Sequence, residues 1–115
     1  MPGAIFEPFD VVIVPFPFTD RALVKRRPAL VVSNRAFNER HDQLILAMIT
    51  VARRSAWPSD VPIRDWPAAG LAVACRVRLK LFTLEKRLIV RRLGALAAKD
   101  REAIQAALAT SLAGA

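Results

Sequence analysis

The chain has 115 residues, enough for one compact unit and too few for two at about 150 residues per domain. Lys and Arg number 18 against 10 Asp and Glu, a formal net charge of +8, so a folded surface attracts polyanions, while 54% hydrophobic residues exclude a disordered basic tail. The single cysteine, Cys75, excludes an intramolecular disulfide and a cysteine-based zinc site, and the single histidine, His41, leaves little room for imidazole metal chemistry or a Ser-His-Asp mechanism.

The segment Met1 to Asp10 carries no Lys or Arg and two prolines, so it lacks the basic start and apolar centre of a secretory signal, and a cytoplasmic location is expected. Phe9 to Pro15 (FDVVIVP) is a short β-branched run bounded by prolines and predicts a first strand. A charged stretch, Thr19 to Arg27, links it to Ala29 to Ser33 (ALVVS), a second strand with apolar residues in both phases, as expected for burial on both faces. Asn34 to Asp42 is polar and breaks the pattern.

Leu44 to Val51 (LILAMITV) supplies a third strand; its apolar run is far shorter than the roughly 18 residues a spanning helix needs, so no membrane association is expected. Arg53 to Asp60 is a second polar loop, followed by a short strand at Val61 to Arg64 and a turn marked by Pro67 and Gly70. From Leu71 to Leu81 apolar residues alternate with Ala72, Ala74, Arg76, Arg78 and Lys80, the period-two pattern of a strand with one core face and one basic face. Leu88 to Leu96 reads as a last strand with Gly94 at a bulge or bend. Ala103, Ile104, Ala107, Leu108 and Leu112 then recur at helical spacing, with Asp100 and Glu102 where a helix N-terminus favours negative charge. The expected architecture is a single domain over residues 1–115, mainly β with helices: a small, strongly bent β-barrel or β-sandwich closed by a C-terminal helix.

Candidate chemistry concentrates at Lys25-Arg26-Arg27, where Pro28 biases Arg27 to an extended conformation at the entrance of the second strand. There Arg27 is either a solvated loop charge or a fork that clamps a phosphate and stabilises a phosphorane-like transition state. Thr50 is the exceptional hydroxyl in an apolar run, where it is either a β former with a purely structural role or a functional group. Ser33 and Asn34 either cap a turn or bind a ligand. Arg53, Arg54, Arg76, Arg78, Lys80, Arg91 and Arg92 could together track a phosphate backbone, and Trp57 and Trp66 either stack single-stranded bases or fold onto the core. His41 has no visible partner, and Cys75 falls on the apolar phase of its strand.

The ordered set FDVVIVPFPFTD (Phe9 to Asp20), KRRPALVVSN (Lys25 to Asn34), LILAMIT (Leu44 to Thr50) and RVRLKLFTLEKRLIVRRLGAL (Arg76 to Leu96) resembles the MazF/PemK family, the toxins of type II toxin–antitoxin systems. The resemblance implies an SH3-like β-barrel of the MazF/PemK/CcdB toxin type, a homodimer, and cofactor-free, metal-independent cleavage of single-stranded RNA at specific sequences. It further implies attack of a ribose 2′-hydroxyl on the adjacent phosphorus, leaving 2′,3′-cyclic phosphate and 5′-hydroxyl ends. The family's catalytic arginine and threonine fall on Arg27 and Thr50, with Lys25, Arg26, Ser33, Asn34, Arg53, Arg54 and Arg78 as candidate RNA contacts. A cognate antitoxin, acidic and folding as it binds, is the implied protein partner.

Many members carry a loop glutamate ahead of the Arg-Pro pair, whereas Asp20 to Arg26 reads DRALVKR, which leaves a substrate-assisted route or Asp20 for the 2′ proton. Two readings of other classes stand beside the nuclease. One is a non-catalytic gyrase inhibitor of CcdB type, acting through the C-terminal helix and its last residues, Ser111 to Ala115; the other is an RNA-binding module that does not cleave.

Overall fold

The computed structural model describes residues 3–16 and 25–114. Six strands, β1 (Asp10–Phe16), β2 (Lys25–Val31), β3 (Gln43–Val51), β4 (Val61–Pro62), β5 (Cys75–Glu85) and β6 (Arg91–Ala95), form one sheet in the order β4-β5-β3-β2-β1-β6. Every neighbouring pair is antiparallel. Helix α1 (Arg35–His41) joins β2 to β3, a 3₁₀ turn (Lys86–Leu88) joins β5 to β6, and α2 (Ala98–Ser111) follows the last strand. The expected bent β framework with a C-terminal helix takes the form of a curled half-barrel.

The apolar runs are continuous because the sheet is buried on both faces. One cluster joins Val11, Leu30, Ala47, Ile49 and Val77 to Leu96 and to Ile104 of α2. The other joins Val12, Val14, Ala29, Val31, Leu44 and Leu46 to Phe6, Leu84 and Ile89. Neighbouring residues of β1, β2 and β3 thus alternate between two cores, as the pleat requires.

Two bulges bend the sheet. In β5, Ala47 pairs with Leu81 but Met48 pairs with Arg78, so Leu79 and Lys80 are the inserted residues. In β6, Val11 pairs with Gly94 but Val12 with Arg92, which leaves Leu93 unpaired. Here the backbones of β6 and the 66–70 turn approach closely: a Cβ at Gly70, whose φ is +79°, would lie 2.3 Å from the Leu93 oxygen, and one at Gly94 would lie 2.8 Å from the Ala69 carbonyl carbon. Gly94 therefore sits at the expected bulge, and the added reason for glycine is contact with the turn ending at Gly70.

Several elements depart from expectation. The second strand starts at Lys25 rather than Ala29, so the basic cluster is itself strand. The alternating strand runs from Cys75 to Glu85 rather than from Leu71 to Leu81, and Val73 is exposed although it falls on the predicted apolar phase. The polar stretch after β2 contains α1, N-capped by Asn34, whose side chain accepts from the Phe37 N–H at 2.8 Å. Asp100 lies in the first turn of α2, as expected, and is also buried, accepting from the N–H groups of Arg64 and Asp65, each at 2.9 Å. It thereby ties the helix to the segment after β4. Among the described residues no helix is long and apolar enough to cross a membrane.

Candidate active site

Strand alternation decides which side chains meet. Phe16, Arg27, Met48, Thr50, Arg78 and Lys80 all fall on one face of the sheet, because each shares the phase of the residues that build the second core: Val14 on β1, Ala29 on β2 and Leu46 on β3. On β5 the opposite phase, Cys75 and Val77, belongs to the first core, which leaves Arg76, Arg78 and Lys80 on the site face. Here the apolar phase gives way to cations, and the floor between the strands opens into a pocket of about 150 Å³ lined by Phe16, Arg27, Met48, Ile49, Thr50, Arg78 and Lys80.

Arg27 and Thr50 are brought together by register. The β2/β3 ladder pairs Val31 with Leu46, Leu30 with Ala47 and Ala29 with Met48. Two further steps set Arg27 opposite Thr50, across a stretch where Pro28 has no N–H to continue the ladder. The Arg27 guanidinium lies 5.7 Å from the Phe16 ring centroid, and its buried Nε has no hydrogen-bond partner among the described residues. Buried donors are almost always satisfied, so a guanidinium whose Nε lacks a partner among the described residues, in a lining shared with Thr50, has donor capacity to offer an anion.

Arg78 is held rather than free. Its Nε and Nη2 donate to the two Asp60 carboxylate oxygens at 3.1 and 2.9 Å, Nη2 also donates to the Ser55 carbonyl at 2.7 Å, and its cation lies 5.0 Å from the Trp57 ring centroid. Arg76 pairs with the same carboxylate at 3.2 Å and donates to the Arg54 carbonyl. Asp60 thus fastens the 53–60 loop across two arginines of β5. Burial pushes the Asp60 carboxyl up, but hydrogen bonds from Arg78 and the Trp57 N–H, with the charges of Arg78 and Arg76, outweigh it and hold the group below its ordinary value.

The remaining candidates are dispersed. Lys25 lies on the Arg27 face, two residues from it, and Arg26 on the opposite face; both are exposed. Arg53 and Arg54 are exposed in the turn after β3 and do not line the pocket. Ser33 and Asn34, expected as RNA contacts, do not line the pocket and each has structural partners. Ser33 is 6% exposed, its hydroxyl donates to the Asn38 side-chain oxygen, and it accepts from the Ile45 N–H at 2.9 Å. Asn34 caps α1, and the six residues from Arg27 to Ser33, at about 3.3 Å each where extended, span at most about 20 Å. Asp20 lies outside the described residues. Trp66 packs against the first core, Cys75 is buried, and the His41 ring lies against Phe37 with centroids 4.7 Å apart.

Phe16, Met48 and Asp60 complete the site and were absent from the sequence candidates. Strand phase relative to Arg27 and Thr50 points to the first two, whereas Asp60 is reached only through the fold.

A family model described as "PemK-like, MazF-like toxin of type II toxin-antitoxin system" matches residues 7–112. No curated protein sequence matches the chain. Solved structures share the fold at low identity. A MazE–MazF complex from Deinococcus radiodurans superposes with a TM-score of 0.71 at 23% identity, over 97% of this chain and 99% of that one. An endoribonuclease in complex with its cognate antitoxin, from a mycobacterial species, gives 0.72 at 22% identity, over 92% and 91%. The Mycobacterium tuberculosis toxin MazF-mt6 gives 0.69 at 20% identity, over 88% and 93%. The family match spans nearly the whole chain and includes every strand of the sheet that carries the Arg27–Thr50 pocket, and the chain belongs to the PemK-like, MazF-like toxins of type II toxin–antitoxin systems.

Proposed function

We propose that the protein is the toxin of such a pair and cuts single-stranded RNA, without a metal ion, by attack of a ribose 2′-hydroxyl on the adjacent phosphorus. The observation that carries this reading is that Arg27, whose Nε has no partner among the described residues, lines one pocket with Thr50.

In this reaction the 2′ oxygen forms a bond to phosphorus, the bond from phosphorus to the 5′ oxygen breaks, and the products are a 2′,3′-cyclic phosphate and a 5′-hydroxyl. Charge grows on the non-bridging oxygens as phosphorus becomes five-coordinate, and the Arg27 guanidinium meets it with a planar fork. Thr50, opposite on β3, donates its hydroxyl to one of these oxygens and fixes the phosphate against rotation. Lys80 adds positive charge at the same pocket. Among the described residues the lining holds three cations and no carboxylate or imidazole, so the 2′ proton passes to a non-bridging oxygen of the substrate and from there to the departing 5′ oxygen, which leaves as the hydroxyl.

The same cations suit an acidic antitoxin segment, which would compete with RNA by folding across the site as it binds. A homodimer acting in the cytoplasm, with two such pockets, completes the proposal.

The test is incubation of wild type and Arg27→Ala with a long single-stranded RNA in excess EDTA, with fragment ends mapped. Discrete cuts bearing cyclic-phosphate and 5′-hydroxyl ends, lost in Arg27→Ala, are expected. Intact RNA, with folded protein that binds it, would overturn the nuclease reading.

A further inference from the structure

Trp57 is 43% exposed, yet it is fixed from three directions. Its carbonyl accepts from the Asp60 N–H at 3.0 Å, closing a turn with Pro58 in the second position, where a fixed φ favours that turn. Its own N–H donates to Asp60 Oδ2 at 2.9 Å. Its ring rests on the Arg78 guanidinium at 5.0 Å, and that guanidinium is immobilised by the two-pronged pair with Asp60. A loop indole with no structural duty would fold onto the core, as Trp66 does. Trp57 is instead held at the surface, one side chain removed from the Arg27–Thr50 pocket: it does not line the pocket itself, but Arg78 both carries the indole and lines it.

We propose that Trp57 is a stacking platform for one nucleobase of the bound RNA, next to the phosphate held by Arg27, and that Asp60 is the residue that positions it. This rests on the RNA-cleaving reading above. A π surface beside a phosphate site is the arrangement by which single strands are gripped, since every base has a face to stack while the backbone follows the cations. The cation against the indole adds to its rigidity, so little side-chain freedom is lost when a base arrives. Exposed Arg53 and Arg54, in the same loop, extend the positive surface in that direction. Cations and an aromatic face favour RNA over an apolar protein anchor as the occupant.

The test uses a short random-sequence 2′-O-methyl RNA pool, which offers no 2′-hydroxyl to attack, so binding is read without cleavage. In a Trp66→Phe protein Trp57 is the only indole, and its emission should be quenched with the same midpoint as the binding measured by the anisotropy of a labelled pool. Trp57→Leu should weaken binding roughly 5- to 150-fold, and Trp57→Phe should recover most of that loss. Binding without quenching, together with wild-type affinity in Trp57→Leu, would overturn the platform and leave the RNA reading standing. Failure of the wild-type protein to bind the pool at all would overturn both. Quenching by an acidic peptide alone, with RNA affinity indifferent to Trp57, would overturn the base platform and make this surface a protein dock.

Discussion

Arg78 grips Asp60 with both prongs of its guanidinium, Nε to one carboxylate oxygen and Nη2 to the other, and the Asp60 side chain is only 3% exposed. The pair joins a pocket wall to the 53–60 loop. An arginine held in this way presents its remaining donors in a fixed direction, as binding of a phosphate requires.

This pair sets a pH dependence. The Asp60 carboxyl titrates below its ordinary value of 3.8 in the folded chain, so its contribution to stability is complete above the unfolded value and fades as pH falls through the folded one. Asp60→Asn should therefore be less stable than wild type at neutral pH, and the difference should close below about pH 4. Urea midpoints of both proteins between neutral and acid pH test this. A gap that stays constant to the lowest pH would show that the charge on Asp60 is irrelevant.

Variants at Thr50 separate the proposed role of its hydroxyl from that of a β-forming side chain. Thr50→Val keeps the shape and strand preference but removes the donor, and kcat for RNA cleavage should fall about 10²- to 10³-fold with little change in KM. Thr50→Ser should retain most of the rate. Equal loss in both variants, with unchanged thermal unfolding, would assign Thr50 to packing.

Ser33 is predicted to matter for stability and not for RNA. Removing its hydroxyl strands the Ile45 N–H and the side-chain oxygen of Asn38, which is fully buried, so Ser33→Ala should cost about 1–3 kcal/mol in urea unfolding. Its affinity for the 2′-O-methyl pool should equal that of wild type. A selective loss of affinity at unchanged stability would return Ser33 to the binding surface.

Gly70 tests the contact between the 66–70 turn and β6. Alanine there needs a left-handed backbone and places a methyl against the Leu93 carbonyl, so Gly70→Ala should destabilise by about 2–4 kcal/mol. Gly3, also at positive φ, has nothing within 4 Å of the position its Cβ would take, and Gly3→Ala should cost less than Gly70→Ala in the same denaturation experiment.

The strands were legible because burial on both faces writes long β-branched and aliphatic runs, and on β5 because exposure of one face writes strict alternation. Helix α1 was not: of its seven residues only Asn38 is buried, and that residue is polar, so no apolar period exists to be read. The displaced start of β5 has a similar cause, since Val73 satisfies the alternation without packing against anything that would bury it. Arg27 and Thr50 entered through the local Arg-Pro signal, the odd hydroxyl and the family resemblance, but their opposition depends on the β2/β3 register, which no local pattern states. Asp60 looked like one more loop acid, because its partners Arg76 and Arg78 stand 16 and 18 positions away and meet it only when β4 and β5 pair. The bond between Ser33 and Asn38 was illegible for the complementary reason, since a polar residue at a strand end reads as a surface group until the buried amide of Asn38 is seen to engage it.

The outer strands of the sheet bear on how the protein survives at high concentration. β4 offers two residues, one of them Pro62 with no N–H, and β6 presents exposed Arg91 and Arg92. Neither is a good template for another chain to pair with, and arginine repels a second copy of the same strand. The native sheet is therefore guarded against growing into fibrils, and the hazard moves to the unfolded chain, where Leu44 to Val51 is an uncharged, proline-free β-forming segment. Aggregation during overproduction should follow the rate of unfolding rather than the concentration of folded protein.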